Sequence, residues 1–87
     1  MFTVIWRDSA LDALATRYVV ADLSTQDAIA NCVEQFNRIL AIDPLNFGES
    51  RWGRRRIGFI RPCAITFMVN HPDDPPDVVR VTHFWTY

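Results

Sequence analysis

The 87-residue chain contains no lysine, and all nine of its basic residues are arginine. Cysteine is scarce too: there are only two, Cys32 and Cys63. Their spacing suits neither a zinc site nor a disulfide framework. Cys32 falls on the apolar face of a predicted helix, where a buried free thiol is expected. Long apolar runs are missing, with no stretch near the ~18 apolar residues of a membrane span. Arg7, Asp8 and Asp12 interrupt any apolar run at the N-terminus, so no signal peptide is expected. Repeats and low-complexity segments are likewise absent. The expectation is a single domain, residues 1–87, in a reducing cytoplasm.

What the chain does have is apolar content. Hydrophobic residues make up 49% and aromatics 13%, enough for a real core and contrary to disorder. A net charge of −1 excludes a generally basic nucleic-acid binder. The distribution of charge is uneven, however. The stretch GESRWGRRRIGFIRP, residues 48–62, holds Arg51, Arg54, Arg55, Arg56 and Arg61, while Asp73, Asp74 and Asp77 cluster elsewhere. A nearly neutral protein can therefore present one strongly positive surface.

Periodicity supplies the elements. FTVIWR, residues 2–7, is β-branched and aromatic and predicts a strand. Ser9 and Asp12 stand at capping-box spacing, and Leu11, Leu14, Ala15 and Tyr18 follow at the spacing of one helix face, predicting a helix to about Ala21. Ser24 and Asp27 repeat the capping spacing. Ile29, Cys32, Val33, Phe36 and Leu40 form the apolar stripe of a second helix, which Asp43-Pro44 ends. So short a connection makes the two helices an antiparallel hairpin. Loop-like residues 43–53 lead to strands at 54–60, 63–69 and 78–87, with NHPDDPPD as the last turn. The order β-α-α-β-β-β predicts an α+β fold, with a helical hairpin packed on one face of a mostly antiparallel four-stranded sheet. The other face is left without a covering layer, which makes it a candidate binding surface.

Strict alternation puts Val79, Val81, His83, Trp85 and Tyr87 on one face of the last strand and Val78, Arg80, Thr82, Phe84 and Thr86 on the other. In an antiparallel meander the end of that strand is expected near the start of the arginine strand. His83 and Tyr87 would then approach Arg54, Arg55 and Arg56. Arginine forks bind phosphate bidentately, and histidine and tyrosine exchange protons, so this grouping predicts a phosphate site.

Three short stretches carry a family likeness. They are Asp43-Pro44 followed by Gly48-Glu49-Ser50-Arg51; Arg56-Ile57-Gly58-Phe59-Ile60-Arg61; and Val81-Thr82-His83. With the order of elements, they resemble the RelE/ParE toxin superfamily of bacterial type II toxin–antitoxin systems. The resemblance implies an antiparallel sheet with two N-terminal helices, and a cognate antitoxin wrapped over sheet and helices. RelE-type members cut mRNA on the ribosome as endoribonucleases and so inhibit translation, using basic residues and a tyrosine or histidine, without a metal or other cofactor. ParE-type members instead inhibit DNA gyrase and perform no chemistry.

On the RelE-like reading, the catalytic candidates are Arg56, Arg61, His83 and Tyr87, and the RNA-binding candidates are Arg51, Arg54, Arg55 and Arg80. The absence of lysine, on which RelE-type members rely, favours the ParE-like reading, while His83 and the dense arginines favour the ribonuclease. A degenerate member that keeps only the fold and its antitoxin contact is the third reading. Beside these stand plainer roles: a solvated edge for the arginines, an acidic partner for Arg80, a solvated loop position for Glu49, and core or interface anchoring, not base stacking, for Trp6, Trp52 and Trp85.

Overall fold

The computed structural model describes residues Met1–Tyr87. Strand β1 (Thr3–Trp6) leads into helices α1 (Asp8–Val20) and α2 (Leu23–Ile42), and a single 3-10 turn, Pro44–Asn46, follows. Strands β2 (Glu49–Ser50), β3 (Arg55–Ile60), β4 (Cys63–Val69) and β5 (Val78–Thr86) complete the chain. The sheet has five strands in the order β1-β5-β4-β3-β2, not the four expected. The fifth is the two-residue β2, antiparallel to β3 through Glu49↔Ile57 and Ser50↔Arg56. No apolar alternation marks Glu49-Ser50, so nothing local announces it. Pairing is antiparallel except between β1 and β5, which run parallel.

Both helices start from different residues than the spacing suggests. Arg7 is the N-cap of α1 and provides no side-chain cap. Asp22 caps α2, its Oδ1 accepting from the Thr25 amide at 2.8 Å, while Ser24 donates to the same oxygen. Asp22 sits two residues ahead of the expected cap, so its carboxylate reaches the exposed first-turn amides instead. On α2 the predicted stripe is the buried one: Ile29, Cys32, Phe36 and Leu40 are all inaccessible. On α1 it is not. Ala10 is the buried position, whereas Leu11 and Tyr18 stay exposed and line an open apolar groove with Ile29 and Val33 of α2.

The core lies between the helices and one face of the sheet, where Phe36, Ile29 and Leu40 meet Ile65, Phe67, Val79 and Val81. Cys32 and Cys63 are both buried free thiols, as expected for Cys32. The Cys32 thiol donates to the Ile60 carbonyl at 3.1 Å. Burial, with Cys32 alongside, pushes the Cys63 thiol up to about 12, so it stays protonated and unreactive.

Close packing around Phe47 and β3 explains two glycines. Phe47 lies edge-on to Phe36 and stacked on Phe67, each at a centroid distance of 6.0 Å. Its ring passes beneath Gly58, where an added Cβ would come within 2.2 Å of Phe47 Cε2. Gly48 turns the chain at φ +73° close under the Ile57 carbonyl, which leaves no room for a side chain. Gly58→Ala is therefore expected to displace Phe47 and destabilise the fold by about 1–3 kcal/mol. In urea denaturation, Gly58→Ala combined with Phe47→Ala should cost less than the sum of the two single changes.

Candidate functional site

The register of the sheet decides which side chains share its uncovered face. Across β3, β4 and β5, three rows form: Arg55–Met68–Arg80, Ile57–Thr66–His83 and Phe59–Ala64–Trp85. A register shift falls between Thr66 and Phe67, which pair with His83 and Val81. Thr82 is thus the extra residue of a β-bulge, and side-chain parity flips there. Val79 and Val81 face the helices together with Phe84, while Arg80, His83 and Trp85 face the open side. The strict alternation that grouped His83 with Val79 and Val81 fails for this reason alone.

The expected meeting of Tyr87 with Arg54–Arg56 fails for a second geometric reason. Two strands that both pair antiparallel with a third run parallel to each other. The end of β5 therefore lies beside the end of β3. Tyr87 packs edge-on against Phe59 at 5.8 Å, and the Arg61 guanidinium sits over its ring at 4.8 Å. His83 lies a row away from Arg55.

Arg55 and His83 line a shallow depression of about 420 Å³ on the open face. Arg51, Trp52 and Trp85 complete its rim, with Ile57 and Thr66 in its floor. Arg55 is exposed and makes no side-chain hydrogen bond or ion pair, so its guanidinium is available. Arg51 carries a 2.8 Å ion pair to Glu49, which leaves Glu49 as the counter-charge of an arginine.

Around His83 the hydrogen bonds fix the ring. The Thr82 hydroxyl has one proton, and it donates to the Thr66 carbonyl at 3.2 Å. Thr82 Oγ1 must then accept at its 3.0 Å contact with His83 Nδ1. In the neutral ring Nδ1 carries the proton and Nε2, on the opposite side, presents its lone pair. The bulge thus turns His83 to the open face, and the Thr82 contact favours the tautomer that leaves Nε2 unprotonated.

Arg56, Arg54 and Arg80 are occupied. Arg56 points to the helix side, where it donates to Phe47 O at 3.1 Å, Ser50 Oγ at 2.8 Å and Gly48 O at 3.3 Å. It holds the loop that carries Phe47 and β2, and it lies across the sheet from His83. Arg54 reaches the Asn70 carbonyl at 3.4 Å. Arg80 grips Asp74 with two hydrogen bonds, of 2.6 and 3.3 Å. That contact holds the Asp74 carboxyl below the ordinary carboxylate value and raises the Arg80 guanidinium.

A carboxyl whose folded value is depressed adds stability above its unfolded value, about 4, and loses it as the pH falls through the folded value. Melting temperature followed from about pH 6 to about pH 2 should therefore drop below pH ~4, and Arg80→Gln should flatten part of that drop.

Trp52, expected as a core or interface anchor, is not part of the core. It is 88% exposed. The available signal was its setting, a polar loop between Arg51 and Gly53 without apolar neighbours at strand or helix spacing. The orienting roles of Thr66 and Thr82 had no such signal. No group of histidine, cysteine or acidic side chains converges as metal ligands would, and no helix is long and apolar enough to cross a membrane.

No protein-family model matches the chain, and no curated protein matches it. Among solved structures, it is similar to one described as "Chromosomal ParDE TA system from P. aeruginosa", with a TM-score of 0.75 and 17% identity. The likeness covers 99% of this chain and 96% of that one. At this identity it establishes a shared fold along the whole length, the α+β fold that the RelE/ParE resemblance implies.

Proposed function

We propose that the chain is the toxin of a two-protein toxin–antitoxin pair, and that its open-face cleft is an endoribonuclease site acting on mRNA at the ribosome. The observation that carries this reading is the pairing of a free His83 Nε2 with an unpartnered Arg55 in an uncovered cleft. The neighbour sharing the fold is a toxin–antitoxin (TA) system, which supports the same class. In the reaction, the RNA 2′ oxygen attacks phosphorus and its proton passes to His83 Nε2. The P–O5′ bond breaks, and O5′ takes a proton from solvent. Arg55, with Arg51 beside it, binds the phosphate and stabilises the charge that grows on it. Tyr87 and Arg61 flank the aromatic end of the same face, and Arg54 extends the basic rim.

The partner is an antitoxin. Its acidic side chains would neutralise the arginine rim, and its apolar ones would fill the groove between α1 and α2. A second reading has its own support: of the four expected catalytic residues only His83 lies in the cleft, and the structural neighbour is named for ParDE. A gyrase inhibitor needs no such chemistry. The chain should be induced alone in a bacterium, mRNA ends mapped in translating ribosomes, and gyrase supercoiling assayed in parallel. New mRNA ends with intact supercoiling support the ribonuclease, the reverse supports the gyrase inhibitor, and growth without arrest removes both.

A further inference from the structure

We infer that Trp52 and Trp85 form a slot for one unpaired nucleobase at the rim of the His83 cleft, with Arg55 holding the adjoining phosphate. The inference rests on the reading of that cleft as an RNA site and adds how the strand is held there.

The two indoles differ in a way that suits this task. Trp85 is half-buried and braced by Phe59, edge-on at a centroid distance of 6.5 Å. Its position is therefore fixed by the sheet. Trp52 is 88% exposed and has no aromatic partner. It projects from the loop between β2 and β3, whose ends are held by the Arg51 amide on the Arg55 carbonyl at 2.7 Å. A large apolar ring left this exposed beside free positive charge lowers solubility unless something covers it. Neither residue serves the core, and both line the same depression of about 420 Å³, within the ~300–1,000 Å³ of ordinary ligand sites.

Charge selects the occupant. The rim of the slot carries Arg51 and Arg55 and no acid, and the neighbouring Glu49 is already paired with Arg51. An apolar peptide would leave Arg55 without a counter-charge. A single-stranded nucleotide supplies both the flat apolar face and the anion. Base stacking on aromatic rings is tolerant of sequence, and basic grooves that track the backbone accompany it. The same cleft then binds a strand in register: base between the indoles, phosphate at Arg55, and the 2′ oxygen toward His83.

The test is a titration of the full chain, followed by tryptophan fluorescence, with a short 2′-O-methyl oligoadenylate whose blocked 2′ oxygen cannot attack. An abasic backbone of equal length is the control. The oligoadenylate should quench the exposed indole and bind more tightly than the abasic chain. Trp52→Ala should weaken oligoadenylate binding about tenfold and leave abasic binding and the salt dependence unchanged. Trp52→Phe should restore most of the loss. Equal affinity of Trp52→Ala and the wild type for the oligoadenylate overturns the slot, as does equal binding of the two probes by the wild type. If base-dependent binding is present but no mRNA is cut in ribosomes, the slot stands and the ribonuclease falls. If neither probe binds, the slot falls and the indole pair belongs to a protein contact, while the ribonuclease stands or falls on the mRNA ends mapped in ribosomes.

Discussion

His83→Gln is expected to abolish growth arrest and to slow mRNA cleavage by about a hundred- to ten-thousandfold, the usual contribution of a positioned proton-transfer group. Glutamine spans a similar length and keeps a polar amide at the place of Nε2. It has no lone pair that takes a proton, which isolates the chemistry from the geometry. The side chain is exposed, so the melting temperature should not move by more than a surface substitution allows. Arg55→Ala should act on the same reaction, lowering turnover with the fold unchanged. Arg56→Ala should do the opposite: its three hydrogen bonds hold the Phe47 loop, so stability falls first and activity only with it. Primer extension on ribosomal mRNA and thermal denaturation of the same variants separate the two effects. Undiminished cleavage by His83→Gln, with the variant folded, would falsify the ribonuclease reading.

Phe36→Ala should cost about 3–5 kcal/mol, the range for removing a buried aromatic ring. An 87-residue domain has in all about 4–13 kcal/mol, so the variant loses a quarter or more of it and its melting temperature is expected to fall by roughly 12–40 °C. Phe36 is fully buried and lies against Phe47, which stacks on Phe67. Losing its ring frees Phe47, and with it the loop that Arg56 holds and that leads on to Arg51 and Trp52. Damage at the far side of the sheet from the cleft would thus reach the cleft through one loop. Urea denaturation of Phe36→Ala and Phe36→Leu checks this: leucine should recover most of the stability. A loss under about 1 kcal/mol for alanine would show that the core collapses around the gap and that the stack is not a unit.

Much of the framework was legible in the residues. The stripe Ile29, Cys32, Phe36 and Leu40 at helical spacing marked the buried face of α2, because a helix against a sheet must bury one apolar side. Asp43-Pro44 marked its end, and CAITFMV marked β4 to the residue. The clustering of five arginines between 51 and 61 was plain as well. On α1 the same reasoning held only for Leu14, which packs against the core. Leu11, Leu14, Ala15 and Tyr18 satisfied the periodicity, yet α1 buries Ala10 and leaves Leu11 and Tyr18 on an open groove. Periodicity reports an apolar face without saying what covers it.

The division between sequence and structure follows the range of the forces involved. Local preferences determined which segments are helix or strand, the two-residue β2 excepted, that the sheet would have an uncovered face, and that positive charge would gather near β3. Tertiary structure alone decided which residues meet there. Arg56 and Arg55 are neighbours in sequence, but pleating sends one to the loop carbonyls and the other to the open cleft. His83 joins Arg55 only because the bulge at Thr82 flips its parity, and Tyr87 leaves that group because β3 and β5 run parallel on either side of β4. Bulge and register are properties of hydrogen bonds between strands distant in the chain, so no local pattern of residues encodes them.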